Sequence, residues 1–295
     1  MGRCALGALL VASAAAALLP DWATRLKAQN YAGYVDLNLA LDASDTVARA
    51  GGTLRVAASV LNAGSGDAHD VHIDAQLQPA VLGLTTLGCV GDPGGYPTCL
   101  FGAPLGPDAM AVEVLLIDVP PTARGSLMLD LQAAADEPDA FPGQEIGALV
   151  LPIEAHVDLR SQLACAEHRA QVGKPLACTL QIQNAGPASA LQADLSIDAA
   201  GLPVDFVACQ GSSPRACPSA SAPLGASVLA ELRPGDFLRL TFAVTLPSDW
   251  STEQWTISAT AAQRADEIDD NPADNSGSVE IVAPLFADGF QGPAN

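Results

Sequence analysis

The chain has 295 residues, a formal net charge of −20 and 49% hydrophobic residues, of which few are aromatic. That length suits about two ordinary domains, each able to bury its own core. The acidic balance excludes nucleic acid as a partner, because little here could neutralise phosphates; it also argues against anionic membrane surfaces and suits a soluble exported protein.

Residues 1–28 read as a signal peptide and leader. Arg3 supplies a positive start, Ala5 to Leu19 an apolar run, and Ala12, Ala14, Ala15 and Ala17 the small residues that a signal peptidase accepts. The run is too short for a comfortable transmembrane helix, so no membrane span is expected once it is removed. An uncleaved N-terminal anchor is the competing reading. Cys4 precedes the run and leaves with it. Six cysteines remain, and in an exported chain disulfides are the default. Cys89 and Cys99 bracket a turn-rich GDPGGYPT, and Cys209 and Cys217 bracket QGSSPRA; each pair most simply closes its own loop. Cys165 and Cys178 make the third pair. Metal binding is the alternative, but the cysteine spacings are not those of a CxxC zinc site.

Strand patterns follow in two rounds. Val35, Leu37, Leu39 and Leu41 alternate with polar or small residues, the period of a half-buried strand. Leu54 to Val60 forms a second strand ending in Asn62-Ala63-Gly64. Val71 to Leu77, Val112 to Val119 and Leu127 to Leu131 follow. The second round runs through Val157 and Leu159, Leu180 and Ile182, Leu191 to Ile197, Leu238 to Leu246, Trp255 to Ala259 and Val279 to Val282. Val35-Asp36-Leu37 returns as Val157-Asp158-Leu159 (157 − 35 = 122), and Asn62-Ala63-Gly64 returns as Asn184-Ala185-Gly186 at the same offset. A fixed period marks a duplicated structural unit. The fold class expected is all-β, two tandem immunoglobulin-like antiparallel sandwiches over residues 33–154 and 155–283, followed by a tail at 284–295. The linker is short, near Pro152 to His156, which favours a fairly rigid end-to-end pair. At the 122-residue offset Cys165 and Cys178 replace Ala43 and Val56, so a buried bridge between the first two strands is expected in the second unit only.

A strand ending in NAG, a disulfide loop, a P-x-G turn at Arg233-Pro234-Gly235 and an acidic tail from Asp266 to Asn275 together resemble a known arrangement. The chain is similar to the conserved-repeat domain of unknown function found in tandem in bacterial exported proteins, and to CARDB adhesion-type modules. That resemblance implies immunoglobulin-like sandwiches and an interaction or structural role. The ending Phe286-Ala287-Asp288-Gly289-Phe290 resembles an F-x-D-G-F tail of exported gammaproteobacterial proteins, with Gln291 where Glu is usual. An edge extension packing two aromatics is the competing reading.

No GxSxG, HExxH, P-loop or dinucleotide fingerprint is present, so no catalytic residue is expected. His69 and His72 face opposite sides of a strand and make poor joint ligands. The tract from Asp266 to Asn275 offers Asp266, Glu267, Asp269, Asp270 and Asp274 as oxygen ligands for calcium. Its spacing is not that of an EF-hand, and a loop of Asp, Asn and Pro is also ordinary turn chemistry. No other cofactor is implied. Trp250 and Tyr96 are the candidate ligand contacts, with core or loop packing as the competing role. The expectation is an exported non-enzymatic interaction, adhesion or scaffold protein, secreted, periplasmic or at the cell surface, whose partner is an unknown protein or a surface glycan. The alternative is a calcium- or glycan-binding accessory module.

Overall fold

A computed structural model describes residues 33–86, 89–91, 97–212, 217, 227–229, 231–247, 250 and 252–283. The leader, Tyr96 and the F-x-D-G-F tail lie outside these residues. In the first half, β1 (Leu37–Ala43), β2 (Ala48–Arg49), β3 (Thr53–Asn62), β4 (His72–Gln78), β5 (Gly83–Thr86), β6 (Cys89–Gly91), β7 (Pro97–Leu100), β8 (Met110–Asp118), β9 (Gly125–Ala134) and β10 (Ile146–Glu154) follow one another. They build two sheets, in the orders β1-β3-β8-β5 and β2-β10-β9-β4-β7-β6. In the second half come β11 (His156–Val157), β12 (Leu159–Cys165), β13 (Pro175–Asn184), β14 (Ala193–Asp198), β15 (Val204–Gly211), β16 (Ser227–Leu229), β17 (Phe237–Thr245), β18 (Gln254–Ala262), β19 (Ile268–Asp269) and β20 (Ser276–Val282). Their main sheets run β12-β13-β17-β15 and β16-β14-β18-β20.

These two orders are the same order. With strands lettered A to G as β1, β3, β4, β5, β8, β9 and β10, one sheet is A-B-E-D and the other G-F-C, the constant-type immunoglobulin arrangement. The second half repeats it with β12, β13, β14, β15, β17, β18 and β20. In both halves extra strands inserted between D and E widen the second sheet beside C. The fold is therefore all-β and immunoglobulin-like.

Period-2 patterning explains why these segments are strands. On β3, Leu54, Val56, Ala58 and Val60 are buried while Thr53, Arg55 and Leu61 are exposed, and on β13 the inward set is Leu176, Cys178, Leu180 and Ile182. They meet Leu127, Leu129 and Leu131 in the first core, and Leu195, Trp255, Ile257 and Ile281 in the second. Register reproduces the repeat residue by residue: Leu37 pairs with Asn62 and Ala43 with Val56, as Leu159 pairs with Asn184 and Cys165 with Cys178. Strand A also crosses to strand G, where Leu39 N donates to Gln144 O and Ser161 N to Asp274 O. Gly147 and Gly277 sit at that crossing because a Cβ there would press on Leu39 and Leu41, or on Leu163.

Cys165 and Cys178 form a disulfide, as do Cys209 and Cys217. Cys178 is buried and Cys165 half-buried, so the bridge lies at the margin of the core rather than wholly inside it. Cys99 is disulfide-bonded, and Cys89 is the residue opposite it in the β6–β7 register.

Three local expectations are corrected. The linker is not Pro152 to His156 but the single residue Ala155, because Pro152 lies inside β10 opposite Ser126. A proline is tolerated there because β2 meets the other side of β10 only at Ile153 and Glu154, leaving Pro152 on a free edge. Val157 and Leu159 belong to two strands, since Asp158 turns the chain from β11 into β12. Leu191 precedes β14, its N–H taken by a glutamate side chain.

Candidate functional site

The N-A-G motif is a buried latch. Asn184 is fully buried at the end of β13; its Oδ1 accepts from Gly186 N (3.1 Å) and Asp158 N (3.2 Å), and its Nδ2 donates to Ala188 O (2.8 Å) and Leu232 O (2.9 Å). Asn62 does the same with Gly64 N, Asp36 N, Gly66 O and Leu105 O. One amide side chain thus ties strand A, the loop after B and the loop before E. Glycine is required at 64 and 186 because the strand-A backbone lies against it: a Cβ would sit 2.3 Å from Tyr34 O or 2.6 Å from Asp158 N. The latch fixes the loops 65–69 and 187–191, which form the leading pole of each half.

A second motif, D-E-x-D, clasps the same poles. Asp136-Glu137-Pro138-Asp139 and Asp266-Glu267-Ile268-Asp269 occupy the same place in the two halves. Asp139 Oδ2 accepts from Leu37 N (2.8 Å) and Asp269 Oδ2 from Leu159 N (3.1 Å), holding the start of strand A. Glu137 Oε2 accepts from His69 N (2.8 Å) and Glu267 Oε1 from Leu191 N (2.9 Å), holding the pole loop. Burial, and then the nearby Asp139 carboxylate, push the Asp36 carboxyl above its ordinary range.

In the second half this pole meets the first. Arg124, at the end of the Pro120–Arg124 turn between β8 and β9, donates through Nη2 to Glu267 Oε1 (2.8 Å) and Ser189 O (2.5 Å). Its Nη1 donates to Pro121 O and Ala123 O, which stiffens the turn that carries it. Ser189 N donates back to Pro121 O (3.0 Å), and Ile268 N to Ala155 O (2.9 Å). The Glu267 side chain is 0% exposed and that of Arg124 15%, so this is a buried, hydrogen-bonded ion pair joining the two halves. Gly51, at φ 81°, lies against Pro187 so closely that a Cβ would stand 2.1 Å from the Pro187 carbonyl oxygen. At the rim, His156 Nδ1 bonds Asp270 (2.6 Å) and its Nε2 faces Glu154 (3.3 Å). The Asp270 hydrogen bond raises the imidazole pKa against partial burial, helped by Glu154.

The five carboxylates singled out as calcium ligands diverge to separate partners. Asp266 pairs with Arg264, Glu267 with Arg124, and Asp270 with His156. Asp269 accepts backbone N–H groups from Leu159 and Asn271, while Asp274 takes Asn271 Nδ2 and lies 3.4 Å from Arg160 Nε. Among the described residues no group of three or more His, Cys, Asp or Glu could hold a metal ion. His69 Nδ1 is bonded to Glu137 (2.6 Å), and His72 Nδ1 donates to Asp70 O. Trp250 is half-buried, edge-on to the buried Trp255 at 5.6 Å, with its Nε1 donating to Thr252 O. Arg124 was not among the residues that the sequence singled out. The signal that could have found it is the recurrence of D-E-x-D, which marks Glu267 as a structural group in search of a cation.

No family model and no curated protein matches the chain. Among solved structures it is similar to the CARDB domain of a Pyrococcus furiosus protein in complex with di-metal ions, at 10% identity and a TM-score of 0.32, over 42% of this chain and 93% of that one. It is also similar to the Yersinia pseudotuberculosis adhesin InvE, at 12% identity and a TM-score of 0.32, over 84% of this chain and 59% of that one. A red sea bream transglutaminase matches over 91% of this chain and 34% of that one, at 13% identity and a TM-score of 0.28. Likenesses this distant carry no argument about activity; the immunoglobulin-like fold rests on strand order and register. The disulfides are consistent with an extracellular protein. Among the described residues no helix is long and apolar enough to cross a membrane.

Proposed function

We propose that this chain is an exported, non-enzymatic interaction scaffold, two immunoglobulin-like sandwiches held in one orientation outside the cytoplasm. The observation that carries the reading is the buried Arg124–Glu267 pair across the junction. Modules on a slack tether need no such contact. A single linking residue, the Ser189 N–Pro121 O and Ile268 N–Ala155 O bonds and a desolvated ion pair instead oppose independent tumbling, because separating the halves would leave Glu267 without its cation. The disulfides support an oxidising compartment, and the acidic surface keeps such a scaffold soluble. A rigid scaffold presents its poles and sheet faces at fixed spacing, which lowers the ordering cost when a partner spans both halves.

Residual dipolar couplings on the oxidised full chain test this. One alignment tensor is expected to fit both halves, and Glu267→Gln, which leaves Arg124 a weaker acceptor, is expected to split it into two. Two tensors in the unaltered chain would overturn the rigid-scaffold reading.

A further inference from the structure

The leading pole of the second half is occupied by the first half, while among the described residues no other module covers its copy on the first half. At the occupied pole Ser189 is 1% exposed, and Arg124 spans Ser189 O and Glu267 Oε1. At the 122-residue offset Ser189 corresponds to Asp67 and Leu191 to His69, while Glu267 corresponds to Glu137 through the D-E-x-D motif, at an offset of 130 (267 − 137 = 130). There the same backbone bond is made, His69 N to Glu137, but Asp67 is exposed and the His69 and Glu137 side chains are 53% and 33% exposed. His69 Nδ1 reaches Glu137 Oε1, the oxygen left over by the His69 N–H, whereas Arg124 shares the Glu267 oxygen that accepts the Leu191 N–H. An imidazole of the chain itself thus engages the glutamate that a neighbouring module's guanidinium engages at the junction. The exposed copy also carries one carboxylate more in its loop, since Asp67 stands where the other has Ser189. A hollow of about 440 Å³ lined by His69, Asp70, Phe101, Gly102, Pro104 and Asp136 adjoins it.

We propose that this pole of the first half is a docking socket for an arginine-bearing, proline-led turn of a partner protein, of the chemistry that Pro120–Arg124 presents to Glu267. The inference deepens the scaffold reading and rests on it. Charge complementarity favours a basic turn, and the repeat shows the geometry that such a turn adopts: guanidinium to the glutamate, with a backbone carbonyl of the turn accepting the N–H of residue 67. A second copy of this chain is a poor occupant. Its own Arg124 turn is already engaged at the junction, and the sequence 246–253 between its β17 and β18 includes Asp249 and Glu253 but no Lys or Arg.

The test is a nuclear magnetic resonance titration of the intact oxidised chain with a cyclised Val-Pro-Pro-Thr-Ala-Arg-Gly peptide. Saturable shifts are expected at the amides of Asp67 to His69 and at Glu137. They are expected to fall at least tenfold in affinity with an Ala-for-Arg peptide, and likewise with Glu137→Gln, whose amide oxygen still accepts the His69 N–H and so leaves the core amides unshifted. Absence of shifts at millimolar peptide, or shifts elsewhere on the molecule, would overturn the socket. Concentration-dependent shifts at this pole without peptide would assign it to a second copy and overturn the partner. The readout is local to the first half, so it stands even if the dipolar couplings show a mobile junction.

Discussion

At the residue scale, two fully buried asparagines organise the molecule. Each satisfies two buried carbonyls and two buried N–H groups that belong to different loops. Removing a partner from a buried polar group costs about 1–3 kcal/mol, and these costs do not simply add. Asn184→Ala is therefore expected to destabilise the second half by at least about 3 kcal/mol, read as a lower urea midpoint. Asn184→Asp is expected to be worse still, because a carboxylate would face the Ala188 and Leu232 carbonyls with no donor to offer. If either variant unfolds at the midpoint of the unaltered chain, the latch is not structural. This role was half legible: the recurrence of N-A-G announced a conserved place in the repeat unit, but the four partners come from loops whose approach no local pattern reveals.

At the element scale, strands with strict alternation such as β3 and β13 were plain in the sequence, because one face packs and the other is wet. β10 was not expected, since Ala148-Leu149-Val150-Leu151 lacks alternation and Pro152 suggested a break. The short β5 and the two-residue β2, β11 and β19 carry too few residues to show any period. The acidic tract offers carboxylates by composition, and that they clasp backbone and bases shows only in the paired geometry. The Cys165–Cys178 bridge was legible through the repeat, because Ala43 and Val56 face each other at the same register. Restoring that pair with Cys165→Ala and Cys178→Val tests what the bridge adds. Its loop spans a sequence separation of 13, so its loss is expected to cost about 3 kcal/mol by freeing the unfolded chain. For a half of this size that corresponds to a Tm lower by roughly 10 °C. Amide hydrogen exchange should quicken on β13 and stay unchanged on β3; equal quickening on both would mean that the bridge acts on the whole chain and not on its own sandwich.

At the scale of the whole molecule, a chain of net charge −20 places basic groups at the junction: Arg124 in the buried pair, and His156 between Asp270 and Glu154, with the Arg49 charge opposing the rise in its pKa. This gives the junction a pH dependence of definite sign. The folded His156 pKa is raised above its unfolded value, chiefly by the Asp270 hydrogen bond. Its stabilisation is then fully present below the unfolded pKa of about 6.5 and lost as pH rises through the folded value. His69, held by Glu137, contributes with the same sign at the far pole, so a melting profile of the unaltered chain alone would mix the two. Asp270→Asn isolates the junction, because it removes the charge that holds His156 and leaves the His69–Glu137 pair intact. The Tm difference between the unaltered chain and Asp270→Asn is expected to be larger at pH 6 than at pH 9. A constant difference across that range would show that Asp270 acts through its hydrogen bond to a neutral imidazole alone, and that the junction does not respond to protonation.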